Sequence, residues 1–210
     1  MSKTSKSNQQ WADHFTEKAK HDNYPARSVY KLMEIQKKLN IIKRGDFVLD
    51  LGCAPGSWLI YAAKTIGDKG EAVGVDLQKV DVQLPSNATA IEGDIFDLNQ
   101  VNCFGLNSNS EEEPNSIKKY DVVLSDMAPS TTGRRDVDAA RSFELCNAAL
   151  NVASEWLNIG GNFVCKIFHG SDFKEFEKSV KANFKQHTIF KPESCRKASK
   201  EIYIIGRGKI

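Results

Sequence analysis

The sequence has few cysteines, no long apolar run and almost no net charge. Its five cysteines are scattered and form no CxxC pair, which argues against a disulfide framework or a structural zinc site. No stretch approaches the ~20 apolar residues that span a membrane. The opening segment MSKTSKSNQQW lacks the apolar core of a secretion signal. These absences predict a cytoplasmic protein with no metal site, and the length of 210 residues predicts one domain.

The charge is nearly balanced, with 29 Lys and Arg residues against 27 Asp and Glu residues. Composition alone therefore does not indicate a nucleic-acid partner. Basic residues are nevertheless concentrated between 174 and 209 and in an N-terminal arm, residues 1–26, ahead of a domain at 27–210. If both basic segments met on one face, they would follow a phosphate backbone. The alternative is a set of solvated helix faces. The polar, acidic stretch 107–116 is predicted to be a surface loop.

Short apolar runs alternate with helical patterns along the chain. This alternation predicts an α/β fold, a mostly parallel sheet of seven strands with helices on both faces. Ligands of such sheets bind beyond the carboxyl ends of the strands. The predicted strands are Phe47–Leu51, Ala72–Leu77, Ala88–Gly93, Asp121–Asp126, Asn162–Ile167, His187–Phe190 and Glu201–Ile205, and the predicted helices are Ser28–Leu39, Ser57–Lys64, Asp138–Leu157 and Ser171–Phe184.

The end of the first predicted strand has the features of a cofactor site. Its glycine spacing, with Gly56 before a helix, is not the GxGxxG of dinucleotide sites, so a nucleoside that carries an amino-acid tail is favoured over a pyrophosphate. Asp76 ends the second strand and can accept the hydroxyl protons of a ribose. Asp94 follows the third strand, near the expected adenine. Trp58 is either a core aromatic or a contact of the cofactor.

Charged residues at later strand ends form a candidate catalytic group. Asp126 follows the fourth strand in an Asp-x-x-Pro turn. Lys166 lies inside the apolar fifth strand, where a lysine is costly to bury without a partner; the alternative is a lysine that extends to solvent at the strand end. Glu201 begins the last apolar strand, and Lys31 lies on the helix before the first. Alone, Lys31 and Glu201 would be ordinary surface charges.

From about Trp11 to Gly208 the chain resembles the bacterial FtsJ-type 23S rRNA 2′-O-ribose methyltransferases. The motifs that carry the resemblance are Arg27-Ser-Val-Tyr-Lys-Leu, Leu49-Asp-Leu-Gly-Cys-Ala-Pro-Gly-Ser-Trp, Gly74-Val-Asp-Leu, Gly93-Asp, Leu124-Ser-Asp-Met-Ala-Pro-Ser, Phe163-Val-Cys-Lys-Ile-Phe and Ser199-Lys-Glu-Ile-Tyr. The resemblance implies a Rossmann-like methyltransferase fold that uses S-adenosyl-L-methionine (SAM). It implies a catalytic tetrad of Lys31, Asp126, Lys166 and Glu201, and SAM contacts at Gly56, Trp58, Asp76, Asp94 and Asp126.

The same resemblance implies that the substrate is a uridine of 23S rRNA, presented on the large ribosomal subunit. Nothing in the chain demands a partner subunit, so a monomer is expected. Three alternatives stay open: a tRNA or mRNA-cap 2′-O-methyltransferase, a small-molecule methyltransferase, and a non-catalytic RNA-binding module. The chain departs from the family pattern at Ser57, where a second glycine is usual and where we expect a helix cap. The loop 104–116 is also longer than usual.

Overall fold

The computed structural model describes residues 14–97, 119–196 and 199–210. Within these ranges seven strands form one sheet in the order β3-β2-β1-β4-β5-β7-β6, and of these strands β7 alone runs antiparallel to its neighbours. The predicted α/β class and all seven predicted strands are confirmed. The strands are β1 Phe47–Leu51, β2 Glu71–Asp76, β3 Ala88–Glu92, β4 Tyr120–Ser125, β5 Leu157–Phe168, β6 Phe184–Phe190 and β7 Glu201–Lys209.

Helices cover both faces of the sheet, as buried parallel strands require. Helix α1 spans residues 14–21 in the part of the chain described, and a 3₁₀ turn covers Ile95–Asp97. Helix α4, Arg135–Trp156, begins three residues earlier than predicted and leads directly into β5. The remaining helices are α2 Val29–Leu39, α3 Ser57–Ile66 and α5 Phe173–Asn183.

The core is divided by the sheet. Alternate residues of one strand point to opposite faces, so Val123 packs with α4 and α5 while Val122 and Leu124 pack with α2 and α3. A smaller cluster joins the segment before α2 to α3 through buried Ala19 and Tyr24. The described part of the N-terminal arm therefore packs on the domain, and the boundary at residue 26 stays a prediction.

The C-terminal basic segment is divided between the two faces of the sheet. Helix α5 packs on the face covered by α4, whereas α1 packs beyond α2 and α3 on the opposite side. Helix α5 is thus separated from the N-terminal arm, whereas Cys195 packs with α2 on the arm's side of the sheet and the Ser194 N–H donates to Glu34 at 2.9 Å. A basic face formed by both ends of the chain therefore stays a prediction for that part of the segment. The loop 104–116 lies outside the described residues. Among the helices described, none is long and apolar enough to cross a membrane.

The strand order places a crevice beside β1. Strand β2 pairs with one edge of β1 and β4 pairs with the other, so the chain reverses its direction across the sheet at this point. Such a switch point leaves a crevice at the carboxyl ends of the strands. Because β7 is antiparallel, its amino end reaches the same edge, and Glu201 pairs with Phe168 at the end of β5.

Candidate functional site

A cavity of about 350 Å³ opens at the switch point beyond β1, β2 and β4. Three of the predicted cofactor contacts, Asp76, Asp94 and Asp126, lie in its lining. Gly52 also lines it, with a φ of 76°, and a Cβ there would overlap the Met127 side chain. A side chain at position 52 would therefore displace the turn that follows β4. The cavity is of the size that holds a small-molecule ligand.

The carboxylate of Asp76 fixes the two turns that frame this cavity. One oxygen accepts the Ala54 N–H at 2.9 Å and the other accepts the Gln78 N–H at 2.8 Å. Each carboxylate oxygen can accept a further hydrogen bond, so both can still accept hydrogen bonds from the hydroxyl groups of a ligand. Asp94 is held similarly, through an Oδ1 that accepts the Phe96 N–H at 2.9 Å.

Gly56 and Trp58 do not line this cavity, and their predicted contact with the cofactor stays a prediction. Gly56 has a φ of 106° at the N-cap of α3, a conformation that favours glycine. The Trp58 side chain is buried in the core on the α2 side, and its indole Nε1 donates to the Ser28 carbonyl at 2.8 Å. The structure thus gives Trp58 the first of its two expected roles, that of a core aromatic.

The expectation that Ser57 caps α3 is wrong. Gly56 occupies the cap position, and Ser57 is the first helical residue. The Ser57 hydroxyl instead accepts the Ala26 N–H at 2.7 Å and donates to the Ala26 carbonyl at 3.0 Å. Together with Trp58, it fastens α3 to the segment that leads into α2. These contacts fix the start of the helix that carries Lys31.

The four residues of the predicted tetrad meet in one buried cluster. Lys166 Nζ lies 3.0 Å from Asp126 Oδ1, and it also donates to the Asp126 carbonyl. Lys31 Nζ lies 2.8 Å from Glu201 Oε1 and 3.8 Å from Asp126 Oδ1. Lys31 and Lys166 are only 8% and 7% exposed. The two cations are balanced by two carboxylates, as buried charges require.

Neighbouring charges outweigh burial for three members of this cluster. Burial alone would lower the pKa of Lys31, but Asp126 and Glu201 hold it above its ordinary value. Burial would raise the pKa of Asp126, but Lys166 and Lys31 hold it below its ordinary value. Burial also opposes ionisation of Glu201, and Lys31 lowers its pKa. Asp126 and Glu201 are therefore ionised and Lys31 is protonated at neutral pH.

Two further residues at this site were not predicted to act there, although both stand in motifs that carry the family resemblance. Tyr203 is buried in β7, and its hydroxyl donates to Asp126 Oδ1 at 2.6 Å. Tyr203 also faces Lys31, whose Nζ lies 5.9 Å from the ring centroid. Asp50 in β1 is 1% exposed, and its Oδ2 has no hydrogen-bond partner among the described residues. Burial and the nearby charges of Asp126 and Asp76 raise its pKa well above the ordinary value.

The FtsJ-like methyltransferase family model matches residues 24–209. The chain belongs to this family. A ribosomal RNA large subunit methyltransferase E of Desulforapulum autotrophicum is 61% identical over 95% of this chain and 94% of that protein. The corresponding protein of Bdellovibrio bacteriovorus is 47% identical over 94% and 96%. A Plasmodium falciparum structure assigned as a ribosomal RNA methyltransferase has a TM-score of 0.75 and 29% identity, covering 89% of this chain and 98% of that one.

The cavity of this FtsJ-like methyltransferase fits SAM. A nucleoside with an amino-acid tail needs hydroxyl acceptors and a close approach to backbone, which Asp76 and the turn at Gly52 offer. Asp94 lies further along the same lining, beyond β3. The family confirms the predicted fold, enzyme class and SAM cofactor. When bound there, SAM supplies a methyl group that is already activated by its sulfonium.

Proposed function

We propose that this FtsJ-like methyltransferase methylates the ribose 2′-hydroxyl of a uridine in 23S rRNA of the large ribosomal subunit, as a monomer in the cytoplasm. The observation that carries the proposal is the dual position of Asp126. It lines the cofactor cavity and is bonded to Lys166. The Lys166 amine therefore lies at the edge of the cavity where a methyl group would be received. The relatives named above are rRNA methyltransferases, which supports rRNA as the substrate.

The reaction requires activation of the 2′-hydroxyl, because a neutral hydroxyl is a weak nucleophile. At rest Lys166 is an ammonium ion paired with Asp126, so it must first release one proton to solvent. Its two remaining N–H groups donate to the carboxylate and the carbonyl of Asp126, and its lone pair is then available to the 2′-hydroxyl. As the bond from methyl to sulfur breaks and the bond to the 2′-oxygen forms, the hydroxyl proton passes to Lys166. The resulting ammonium ion is stabilised by Asp126 at 3.0 Å. Solvent then takes the proton.

The other tetrad members position this base. Glu201 holds Lys31 at 2.8 Å, and Lys31 in turn faces Asp126 at 3.8 Å. Tyr203 donates to the same carboxylate oxygen. With Lys31 and Tyr203 both directed at it, the Asp126 carboxylate cannot rotate freely, so Lys166 stays in one orientation. Held geometry of this kind is a large part of the barrier reduction in a group transfer.

The test uses labelled SAM with large subunits from cells that lack this enzyme, and separately with deproteinised rRNA and bulk tRNA. Digestion to nucleosides identifies the product. We expect 2′-O-methyluridine from large subunits, lost with Lys166→Ala and retained with Lys43→Ala, an exposed lysine at the opposite edge of the sheet. Label found only in tRNA would show that tRNA is the substrate and would leave the proposed 2′-O-methylation chemistry unchanged. SAM binding with no RNA product would refute the proposal in favour of a small-molecule enzyme or a binding module.

A further inference from the structure

A second cavity lies beside the tetrad. Its lining includes Arg135, Asp138, Phe168, His169 and Lys200, and none of its lining residues belongs to the cofactor cavity. Phe168 ends β5, two residues after Lys166, and is paired in the sheet with Glu201. Two residues of strand span roughly 6–7 Å. The cavity therefore begins about one nucleotide away from the reacting amine.

Two cations at the cavity are available to an anion. Arg135 begins α4, and Lys200 immediately precedes β7; both are exposed. Neither has an ion-pair partner among the residues described, whereas the neighbouring Arg134 lies 3.4 Å from Asp136. The acidic member of the lining, Asp138, is already engaged, because its Oδ1 accepts from the backbone and hydroxyl of Thr132 at 2.7 and 2.9 Å.

An aromatic surface completes the cavity. The His169 ring is stacked on Phe173, with 5.3 Å between centroids and 17° between planes. His169 is exposed while Phe173 is buried, so Phe173 backs the ring from the protein side. Stacking of a base on an exposed aromatic ring is a common means of holding single-stranded nucleic acid.

The backbone around His169 is fixed. Its N–H donates to the Lys200 carbonyl at 3.0 Å, which joins the two residues. The Phe168 N–H donates to the Ser142 hydroxyl of α4 at 3.0 Å. A Cβ on Gly170 would lie 2.7 Å from the Ala139 Cβ, so glycine lets this turn pack closely on α4. The ring and the two cations are thus held together on three different elements.

We propose that this cavity binds the nucleotide adjacent to the methylated one. The base stacks on His169, and a neighbouring phosphate lies between Arg135 and Lys200. This assignment rests on the proposed RNA methyltransferase function and adds a subsite to it. It makes these three residues determinants of RNA position, acting on the KM for RNA and not on the chemical step. A backbone contact of this kind adds affinity without reading sequence.

The test measures methylation of large subunits over a series of KCl concentrations. We expect Arg135→Ala and Lys200→Ala each to raise the KM for subunits. Each should also reduce the slope of log KM against log salt, by no more than about 0.7, the value for one phosphate contact on a single strand, because both cations contact the same phosphate. Arg44→Ala and Lys43→Ala are matched controls, since both residues are exposed at the opposite edge of the sheet. His169→Ala should raise KM at least about fivefold, and His169→Phe should restore it because a stacking face returns.

Unchanged KM and salt slopes in Arg135→Ala and Lys200→Ala would overturn the subsite, as would a lowered kcat with an unchanged KM. Failure of His169→Phe to restore what His169→Ala loses would overturn the stacking role. SAM affinity and Tm of each variant, measured by calorimetry, must match the wild-type values for these comparisons to apply. Absence of methyl transfer to subunits by the wild-type enzyme would instead refute the function on which the subsite rests.

Discussion

Replacing Lys166 by methionine separates the contribution of its amine to catalysis from its contribution to stability. Methionine keeps an unbranched apolar side chain and removes Nζ. Asp126 then loses its ion pair at 3.0 Å, while Lys31 at 3.8 Å and the Tyr203 hydroxyl at 2.6 Å remain. Breaking a buried pair by removing one partner destabilises by about 3–5 kcal/mol. Because two partners remain, we expect the lower end, about 3 kcal/mol.

This loss corresponds to a fall in Tm of roughly 6–12 °C for a chain of this length, measured by calorimetry. Methyl transfer, measured under single-turnover conditions well below the lowered Tm, should fall at least ~100-fold, as for the loss of a general base. SAM affinity should be unchanged, since Lys166 does not line the cofactor cavity. In the wild-type enzyme the same rate should rise with pH across the neutral range.

The double variant Lys166→Met/Asp126→Asn provides the control. It removes the carboxylate charge that the single variant leaves partly uncompensated, and the pair Lys31–Glu201 at 2.8 Å remains. We expect it to be more stable than Lys166→Met and equally inactive. Three results would refute the reasoning: more than a tenth of the rate in Lys166→Met, a double variant that is no more stable, or a wild-type rate that does not change with pH.

Three other predictions concern the cofactor cavity, the first turn of α3 and the buried carboxyl of β1. Asp76→Ala should raise the Kd for SAM roughly 10–100-fold, the range for losing charge-assisted bonds, while Lys166→Ala leaves it unchanged; equal losses in calorimetry would contradict the division of roles. Ser57→Gly removes both bonds to Ala26, so the Ala26 amide should exchange its hydrogen faster and the Tm should fall by roughly 4–8 °C for about 2 kcal/mol; unchanged exchange would show that the bonds do not fasten this segment. Asp50 has a raised pKa in the folded protein, so as pH rises above about 4 the unfolded chain loses this proton before the folded protein does, and both the free energy of unfolding and the Tm fall. Asp50→Asn should abolish this fall of Tm with pH; an unaltered pH dependence of Tm would show that Asp50 does not cause it.

The strands could be predicted from the sequence because each is a short apolar run bounded by turn residues. Once the strands were predicted, Asp76 and Asp94 could be placed as well. Each follows a parallel strand, and the carboxyl ends of parallel strands meet at one edge of the sheet. The structure puts both in the cofactor cavity. Helix limits were less accurate: α4 begins at Arg135 rather than Asp138, because its first turn is mostly charged and holds a single apolar residue, Val137.

Side-chain partners could not be predicted in the same way. Ser57 looked like a helix cap, because a serine at a helix start usually is one; its hydroxyl instead bonds to Ala26, which is distant in sequence. Trp58 had two expected roles, and only the position of α2 against α3 decides that its indole donates to Ser28. Such contacts depend on how two elements pack against each other, and the spacing of residues within one element does not predict that packing.

By itself the sequence determined the α/β class, the seven strands and the carboxylates that follow the parallel ones, because these depend on local apolar patterns and on a general property of parallel sheets. The tertiary structure decided which charges pair. Glu201 begins its strand, and it reaches the catalytic edge only because β7 runs antiparallel to β5. Lys31 reaches Glu201 only because α2 packs on that face of the sheet. Charges far apart in sequence are paired by the geometry of the packed elements, since burial is tolerated only where an opposite charge is met.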